Sequence, residues 1–210
     1  MPTPRTLILI IDTQYDFMMA DGRLPVPGAE ALIAPLVRMV ANLDPEEIAG
    51  VLFTYDTHDE EAFSKSEEGS MFPLHCEKGT PGWEAVINPD LVPPQIPSYV
   101  LEKGVFDMWF EKGLKVISHE NASHPATIHR LLIQRDRDDF FREIKKHGVE
   151  TIRIVGVAAD FCVRDAIAGA LDRGFEVEVP RHLTAGIERN IDTVCDTDFP
   201  GGVKITGEDA

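Results

Sequence analysis

Four side chains that could do chemistry stand where predicted strands end. Asp12 ends the first strand-like run, Asp56 ends the second, Lys103 follows the third and Cys162 follows the fourth. Because the carboxyl ends of parallel strands meet at one edge of a sheet, we expect these groups to lie together. Two carboxylates, an ammonium and a thiol at one edge are suited to nucleophilic catalysis assisted by an acid-base group.

Cys162 follows the turn that begins at Gly156, and it opens a predicted helix. The unpaired N–H groups and the dipole at a helix start stabilise a thiolate, and a nearby lysine ammonium acts in the same direction. We therefore expect a lowered pKa for the Cys162 thiol. The alternative is that Cys162 is a small buried hydrophobic side chain, which is the commoner role of a free cysteine. Cys76 and Cys195 lack a comparable context, and we assign them that second role.

Asp56 and His58 are two residues apart in an extended segment, so their side chains point the same way and could bind one metal ion. His75 lies further along the same irregular segment and is the third candidate ligand. One carboxylate and two imidazoles, with positions open for water, suit a divalent metal: zinc first, with iron or manganese as alternatives. Glu67 or its neighbour Glu68 could add a further ligand, although an exposed acidic loop is the simpler interpretation of both.

The remaining histidines are interpreted as surface residues. They are His119, His124, His129, His147 and His182. The first three form a loose series without the i, i+4 repeat that would place two imidazoles on one helix face.

Strand-like and helix-like runs alternate along the chain. The apolar or β-branched runs at 6–11, 51–55, 98–101, 151–156, 175–179 and 203–205 are predicted strands. Amphipathic runs predict helices over 29–43, which Pro35 should delay or kink, over 128–147, and after Asp160, which could cap the third helix. This alternation predicts an α/β fold with a mostly parallel sheet covered by helices on both faces. Two irregular segments, 57–97 and 104–126, follow strand ends and are candidates for a ligand site.

The composition limits the classes of partner. With 210 residues and 43% hydrophobic side chains, we expect one domain over 1–210. A formal net charge of -16 repels phosphate backbones and anionic lipids, so we expect neither a nucleic acid nor a membrane partner. The first apolar run is interpreted as a strand and not as a signal peptide. Three cysteines, an odd and sparse count, favour a reducing compartment, the cytoplasm.

Taken in order, these residues resemble the isochorismatase-like cysteine hydrolases, and within that family the nicotinamidase (pyrazinamidase) branch. The stretch Asp-Thr-Gln-Tyr-Asp-Phe from Asp12 is similar to the first motif of the family. Asp-Thr-His from Asp56, followed by Phe-Pro-Leu-His from Phe72, is similar to its metal motif. Lys103 matches the catalytic lysine, and Gly-Val-Ala-Ala-Asp-Phe-Cys ending at Cys162 is similar to the nucleophile motif.

The resemblance implies a three-layer α/β/α fold with a six-stranded, mostly parallel sheet. It implies catalysis by Asp12, Lys103 and Cys162, in which Asp12 takes the thiol proton and Cys162 forms a thioester with the substrate. It also implies a cis peptide between Val157 and Ala158. That bond would direct the N–H of Ala158, together with that of Cys162, into an oxyanion hole.

The resemblance further implies a small-molecule amide substrate, nicotinamide, and a place in NAD salvage. In nicotinamidases a metal binds the pyridine nitrogen, and aromatic side chains enclose the ring. By motif position those walls are Phe17, Phe72 and Phe106, with ordinary core packing as the alternative for the first two. Relatives often self-associate, so a homo-oligomer is an open expectation.

The sequence departs from the branch after Lys103. Many nicotinamidases have Tyr-Ser-Ala-Phe where this chain has Phe106-Asp107-Met108-Trp109, and an inward Asp107 would disfavour anionic substrates. One alternative is therefore a sibling hydrolase acting on a carbamoyl or ureido compound, a group that often lacks the metal motif. A second alternative is a non-catalytic metal-binding relative, whose Cys162 would be unreactive.

Overall fold

The structure is a computed structural model, and it describes residues 5–119 and 132–207. Its strands are β1 (Arg5–Ile11), β2 (Ile48–Asp56), β3 (Ser98–Lys103), β4 (Lys115–Ser118), β5 (Gln134–Asp136), β6 (Val149–Val157), β7 (Glu176–Pro180), β8 (Thr184–Ala185) and β9 (Val203–Thr206). Its helices are α1 (Tyr15–Met18), α2 (Ala29–Ala41), α3 (Glu60–Phe63), α4 (Glu67–Met71), α5 (Arg137–Lys146), α6 (Cys162–Asp172) and α7 (Ile191–Asp198).

The strands form one sheet in the order β5-β4-β3-β2-β1-β6-β7-β9, with β8 paired to β6. Five strand pairs are parallel: β3–β2, β2–β1, β1–β6, β6–β7 and β7–β9. The pairs β3–β4 and β4–β5 are antiparallel. The predicted α/β class and mostly parallel sheet are confirmed, and each of the six predicted strands is present. The predicted strand number was too low, because the described residues form a sheet of nine strands.

The central strand β1 supplies side chains to both faces of the sheet. Leu7, Leu9 and Ile11 pack in the core formed with α5, α6 and α7. Ile8 and Ile10 pack in the opposite core, formed with α1 and α2. Because successive side chains of a strand alternate between faces, a strand buried on both sides must be apolar throughout, as this run is. The result is the predicted three-layer arrangement.

Three local predictions need correction. The helix predicted over 128–147 begins only at Arg137, after strand β5; residues 120–131 lie outside the described part of the chain. The segment predicted to be irregular after Lys103 contains strand β4. Helix α2 does not start late, since it begins at Ala29 and Pro35 lies inside this helix of 13 residues, on a partly exposed face. Strands β4 and β5 have four and three residues, too few for an alternating pattern to be read.

Within residues 5–119 and 132–207, no helix is both long enough and apolar enough to cross a membrane.

Gly156 allows strand β6 to pass close to β1 just before the nucleophile turn. Its φ is +108°, and a Cβ atom there would lie 2.1 Å from the backbone oxygen of Ile11. Gly156→Ala is therefore expected to reduce the free energy of unfolding by about 2–4 kcal/mol, as a strained backbone angle and a backbone clash add. Urea unfolding measures this, with Gly202→Ala as the control because a Cβ there makes only ordinary contacts. Equal stability of the two variants would contradict the proposed close approach.

Candidate active site and metal cluster

Asp12 follows β1 in a conformation that few non-glycine residues adopt, with φ of +47°, and it is fully buried. The Thr54 hydroxyl donates to its Oδ1 at 2.6 Å, and the Lys103 Nζ lies 2.9 Å from its Oδ2. The second contact is too oblique for a well-aligned hydrogen bond, so it acts as an ion pair. Asp12 therefore has one oxygen fixed by a hydroxyl and one facing the lysine.

Lys103 ends β3 and joins three of the predicted chemical groups. In the parallel pairing of β2 with β3, Lys103 stands opposite Asp56, and its Nζ donates to Asp56 Oδ1 at 3.0 Å. The same nitrogen lies 3.5 Å from the Sγ of Cys162. All of these side chains are buried. The expectation that four strand ends deliver an acid, an acid, a base and a thiol to one place is met by the geometry.

The pKa of the Cys162 thiol is shifted in the direction opposite to the one expected from the sequence. Burial raises the pKa of Cys162 well above its usual value; the Lys103 ammonium opposes that shift, and the carboxylates of Asp12 and Asp56 add to it. Burial also raises the pKa of Asp12, against the attraction of Lys103. Burial disfavours charge on Lys103, but the two carboxylates outweigh it and raise its pKa. The resting thiol is thus protonated beside a carboxylate that is a stronger base than usual.

Cys162 is the first residue of α6, as predicted, and the peptide between Val157 and Ala158 is cis. Asp160 does not cap this helix. The residue at the cap position is Phe161, and the Asp160 carboxylate instead accepts the N–H groups of Ile187, Glu188 and Arg189 at 2.9, 2.7 and 2.9 Å. Asp160 stands one residue too early to reach the free N–H groups of the helix, so it fixes the loop after β8 beside the nucleophile turn.

Asp56, His58 and His75 come together, and Glu68 joins them. One ligand atom from each lies within 4.8 Å of the others, and all four residues are buried. Asp56 Oδ2 lies 3.0 Å from His58 Nε2 and 3.2 Å from His75 Nε2, while its Oδ1 contacts Lys103. Asp56 therefore links the cluster to the catalytic candidates.

Residue chemistry in the cluster fits a divalent cation. Both carboxylate oxygens of Glu68 are buried without a hydrogen-bond partner, which is costly for an ionised group unless a positive charge is near. Burial lowers the pKa of His58 and His75, but the carboxylates of Asp56 and Glu68 outweigh it and raise both values to about 9. A carboxylate-rich site with two imidazoles suits zinc, iron or manganese, and a bound cation would take the place of those protons.

Glu67, the first choice as an additional ligand, is exposed to solvent. The two glutamates are consecutive in α4, about 100° apart around the helix axis, so only one of them can face the cluster. The register of this short helix places Glu68 inward, and the sequence carries no periodic pattern long enough to choose between them.

Glu68→Gln is expected to weaken zinc binding by more than about tenfold, because a charged ligand is replaced by a neutral amide. Glu67→Gln should leave the affinity unchanged, and it is the matched control. Competition against a chromogenic chelator measures both affinities. Equal losses in the two variants would show that neither glutamate acts as a ligand.

Two buried polar residues of the first motif were not singled out from the sequence. The Gln14 amide donates to the backbone oxygen of Asp56 at 2.8 Å and accepts its N–H at 2.7 Å, so it holds Asp56 on both sides. Asp16 Oδ2 accepts the N–H of Cys76, next to His75, at 2.8 Å. Their spacing at i, i+2 and i+4 from Asp12 was the available signal, since a strand end and the first turn of a helix can turn them all inward.

The predicted aromatic walls separate into two groups. Phe17 is buried, and its ring centre lies 5.1 Å from that of His75. Phe72 and Phe106 are partly exposed and 6.1 Å apart, and Phe161, which was not predicted, lies 5.5 and 5.4 Å from them. Phe161 directly precedes Cys162, so these three rings lie beside the nucleophile turn.

A cavity of about 240 Å³ is lined by Phe106 from these rings and by Glu68 from the metal cluster. Its lining includes Glu68, Phe106, Asp107, Phe110 and Asp165. Asp107 therefore faces the cavity, which answers a question that the sequence left open. A larger groove of about 560 Å³, between α5 and the end of α6, contains none of the predicted site residues.

Of the other histidines, the described ones, His119, His147 and His182, lie outside the cluster, and His182 is exposed. His119 contacts Asp90 at 2.7 Å, and His147 follows the end of α5. His124 and His129 lie outside the described residues. Cys76 and Cys195 are buried free thiols, consistent with the packing role predicted for them.

Three known proteins that resemble this chain are named as nicotinamidases or pyrazinamidases. The sequence is 28% identical to a nicotinamidase/pyrazinamidase of Mycobacterium tuberculosis over 183 residues, which covers 86% of each chain. It is 25% identical to a nicotinamidase of Saccharomyces cerevisiae over 195 residues, covering 82% of this chain and 84% of the yeast protein. The structure resembles a pyrazinamidase of Pyrococcus horikoshii in complex with zinc, with a TM-score of 0.71, 26% identity, and coverage of 98% of this chain and 100% of the other.

The sequence also matches the Isochorismatase domain family over residues 6–127 and 136–194. That match includes every residue of the catalytic group and of the metal cluster described above. The chain therefore belongs to the isochorismatase-domain family.

Proposed function

We propose that this protein is a metal-dependent amidohydrolase that converts nicotinamide to nicotinate and ammonia through a thioester on Cys162. The observation that carries the proposal is the position of Lys103, whose Nζ contacts Asp12 at 2.9 Å and the Cys162 Sγ at 3.5 Å in a buried site. A thiol, a carboxylate and an ammonium at these distances form the arrangement that nucleophilic amide hydrolysis requires. The names of the curated relatives support the same reaction.

In the first half of the reaction, Asp12 takes the proton of the Cys162 thiol. The raised pKa of the thiol means that it needs this base, and the raised pKa of Asp12 suits the base to the task. The sulfur attacks the amide carbon, and the N–H groups of Ala158 and Cys162 stabilise the oxyanion. Asp12 then gives its proton to the leaving nitrogen, ammonia departs, and an acyl thioester remains.

In the second half, water attacks the thioester while Asp12 accepts the proton of the water. The carbon–sulfur bond breaks, the carboxylic acid leaves, and Asp12 returns its proton to the sulfur, which regenerates the thiol. Lys103 keeps its charge throughout, because the carboxylates of Asp12 and Asp56 raise its pKa. Its role is to orient Asp12 and to stabilise negative charge at Sγ.

The residues that would hold the metal are Asp56, His58, His75 and Glu68. Zinc is the metal we propose first, supported by the cluster chemistry and by the zinc complex of the Pyrococcus relative, with iron or manganese as alternatives. When bound, the ion supplies a Lewis-acid contact for the ring nitrogen of the substrate. The aromatic residues Phe17, Phe72 and Phe106 would enclose the ring. Such an activity would belong to NAD salvage, and we propose the cytoplasm as the location because the sparse, odd number of cysteines favours a reducing compartment. A homo-oligomer stays an expectation.

A second candidate is hydrolysis of a carbamoyl or ureido compound. The structure also resembles an N-carbamoylsarcosine amidase of Thermoplasma acidophilum, with a TM-score of 0.68 and 20% identity, a likeness that concerns the fold alone. The buried Asp-His-Glu-His cluster favours the nicotinamidase reaction, because those siblings often lack a metal motif. Stable binding of a stoichiometric metal without any amidase activity would instead indicate a non-catalytic relative.

Ammonia release from nicotinamide, pyrazinamide and several ureido compounds tests the proposal. We expect release from nicotinamide by the zinc-loaded protein, loss of at least about tenfold after chelation, and recovery when zinc is restored. Release from a ureido compound alone would select the second candidate. No release from any amide by metal-replete protein would show that the proposed reaction is wrong.

A further inference from the structure

The segment that follows Lys103 is docked on the nucleophile helix by a tryptophan. Trp109 lies against Gly169 in α6, and a Cβ atom on that glycine would be 2.1 Å from the Trp109 Cδ1 and 2.3 Å from its Nε1. The indole therefore occupies the space that a side chain at 169 would fill. Glycine is a poor helix former, so a glycine in the middle of α6 needs a packing reason, and the indole provides one.

Neighbouring groups hold the indole in this notch. The Arg173 guanidinium lies 4.0 Å from the centre of the Trp109 ring, and the Phe141 ring lies 4.6 Å away. The indole Nε1 donates to the backbone oxygen of Ala166 at 3.4 Å. Contacts from α5 and from two turns of α6 thus converge on one side chain.

The rest of the segment is tied down around Trp109. The Asp107 carboxylate accepts the Trp109 N–H at 2.7 Å, and the Glu111 carboxylate accepts the Gly104 N–H at 2.8 Å. The buried Arg137 guanidinium donates to the backbone oxygen of Glu111 at 2.7 Å and to that of Met108. The Glu111–Gly104 hydrogen bond therefore closes the backbone that carries Phe106 and Asp107 into a loop. Arg137 fixes this loop to α5, and Trp109 fixes it to α6.

The same helix contributes to the lining of the cavity. Cys162 and Asp165 occupy the first turn of α6, and Asp165 lines the cavity together with Phe106 and Asp107. Gly169 lies one turn beyond Asp165. Asp107 and Asp165 repel one another, so the segment needs attractive contacts to stay close to the helix. The indole supplies the contact with α6, and the Arg137 hydrogen bonds supply the contact with α5, so the position of the Phe106–Asp107 side of the cavity depends on both.

We propose that Trp109, seated in the Gly169 notch, is the positioning residue that fixes the Phe106–Asp107 wall of the substrate pocket relative to Cys162. The inference rests on the proposed function for the identity of the substrate. Trp109 itself touches neither the catalytic group nor the metal cluster among the contacts described above, so it acts through the wall alone.

Gly169→Ala tests the inference, because the new methyl group must displace the indole while alanine itself favours the helix. We expect the KM for nicotinamide to rise by about tenfold or more, with kcat changed by less than about threefold, since substrate positioning is lost and the catalytic group is kept. Trp109→Ala should have the same effect, and Trp109→Phe should restore much of the affinity. The Trp109→Ala/Gly169→Ala double variant should be no worse than Trp109→Ala, because the two changes act on one contact.

Gly202→Ala is the matched control and should leave both constants unchanged, since a Cβ there has room. Unchanged KM in folded Gly169→Ala and Trp109→Ala would overturn the inference, as would a fall in kcat at constant KM. If Gly169→Ala does not fold, the comparison of Trp109→Phe with Trp109→Ala decides in the same way.

An activity-independent measurement separates this inference from the proposed function. Labelling of Cys162 by iodoacetanilide, relative to the smaller iodoacetamide, is expected to increase in Gly169→Ala, because a loosened wall admits the larger aromatic reagent. Mass spectrometry of the Cys162 peptide gives the ratio. An increased ratio in a protein that hydrolyses no amide would refute the proposed function and support the wall, whereas an unchanged ratio would refute the wall.

Discussion

Cys162→Ala is expected to abolish ammonia release from nicotinamide, with kcat lowered by about 10⁴–10⁶-fold, as for the removal of the nucleophile in other covalent hydrolases. The sulfur lies 3.5 Å from the Lys103 Nζ, within reach of the ammonium that would stabilise its negative charge. The fold should survive, because the thiol is small and α6 gains a residue of high helix propensity. Steady-state assays with zinc-loaded protein measure the loss.

The matched control is Cys195→Ala, which removes a buried thiol of α7 whose charged neighbours are Asp192, Asp196 and Asp198 and not the catalytic group. Its kcat should stay within about threefold of that of the original protein, because only packing is lost. Metal content and circular dichroism of Cys162→Ala should be unchanged, which separates chemistry from folding. Residual activity of Cys162→Ala above one tenth of the original would mean that the thiol is not the nucleophile.

The catalytic candidates were predictable because strand topology and chemistry agree. Asp12, Asp56 and Lys103 each stand at the carboxyl end of a predicted strand, and parallel strands deliver these ends to one edge of the sheet. Cys162 was identifiable for the same reason, as the first residue of the helix after the fourth predicted strand. No tertiary contact was needed for this step, since the alternation of strands and helices already determines which ends share an edge.

Predictions that depended on which way a side chain points, or on how deeply it is buried, were less accurate. Glu67 and Glu68 differ only in the register of a five-residue helix. Asp160 had the residue type of a helix cap, but its carboxylate satisfies three N–H groups of a loop that lies 27 to 29 residues away in sequence. The predicted shift in the pKa of the Cys162 thiol had the wrong direction. A helix start and a lysine are visible in the sequence, whereas the extent to which burial desolvates the thiol is not.

Features that rest on contacts distant in sequence could not be predicted at all. Trp109 and Gly169 are 60 residues apart, and nothing in either neighbourhood indicates that an indole fills the place of a side chain. Phe161 became part of the aromatic group only through the turn that precedes α6. The departure of the sequence after Lys103 from the usual nicotinamidase pattern was the only signal that singled out this segment.

Lys103→Met is expected to lower the free energy of unfolding by about 3–5 kcal/mol at neutral pH, because removal of one partner leaves buried charges uncompensated. The Lys103 Nζ is the shared cation of Asp12, at 2.9 Å, and Asp56, at 3.0 Å, and all three side chains are at most 1% exposed. Methionine retains most of the volume, so loss of packing is a minor contribution. The measurement is urea unfolding of chelator-treated protein, compared with Lys78→Met, which removes an exposed pair with Glu102 and should cost about 0.5 kcal/mol or less.

The pH dependence identifies the cause of that loss. Without Lys103, the folded-state pKa of Asp12, which burial already raises, rises further, and that of Asp56 rises as well. The unfavourable contribution of these carboxylates therefore appears as the pH rises above the unfolded value near about 3.9 and vanishes below it. In the original protein, Lys103 and the histidine partners outweigh burial and hold the pKa of Asp56 well below its usual value, which stabilises the fold above the same pH. Both effects act in one direction, and the histidines, with pKa values of about 9, stay protonated from pH 4 to 7. The deficit of Lys103→Met should therefore be largest at pH 7 and shrink toward pH 4. A deficit independent of pH would mean that the lysine stabilises the fold by packing. The unfolding measurements would then give no support for the charged centre that the proposed reaction requires.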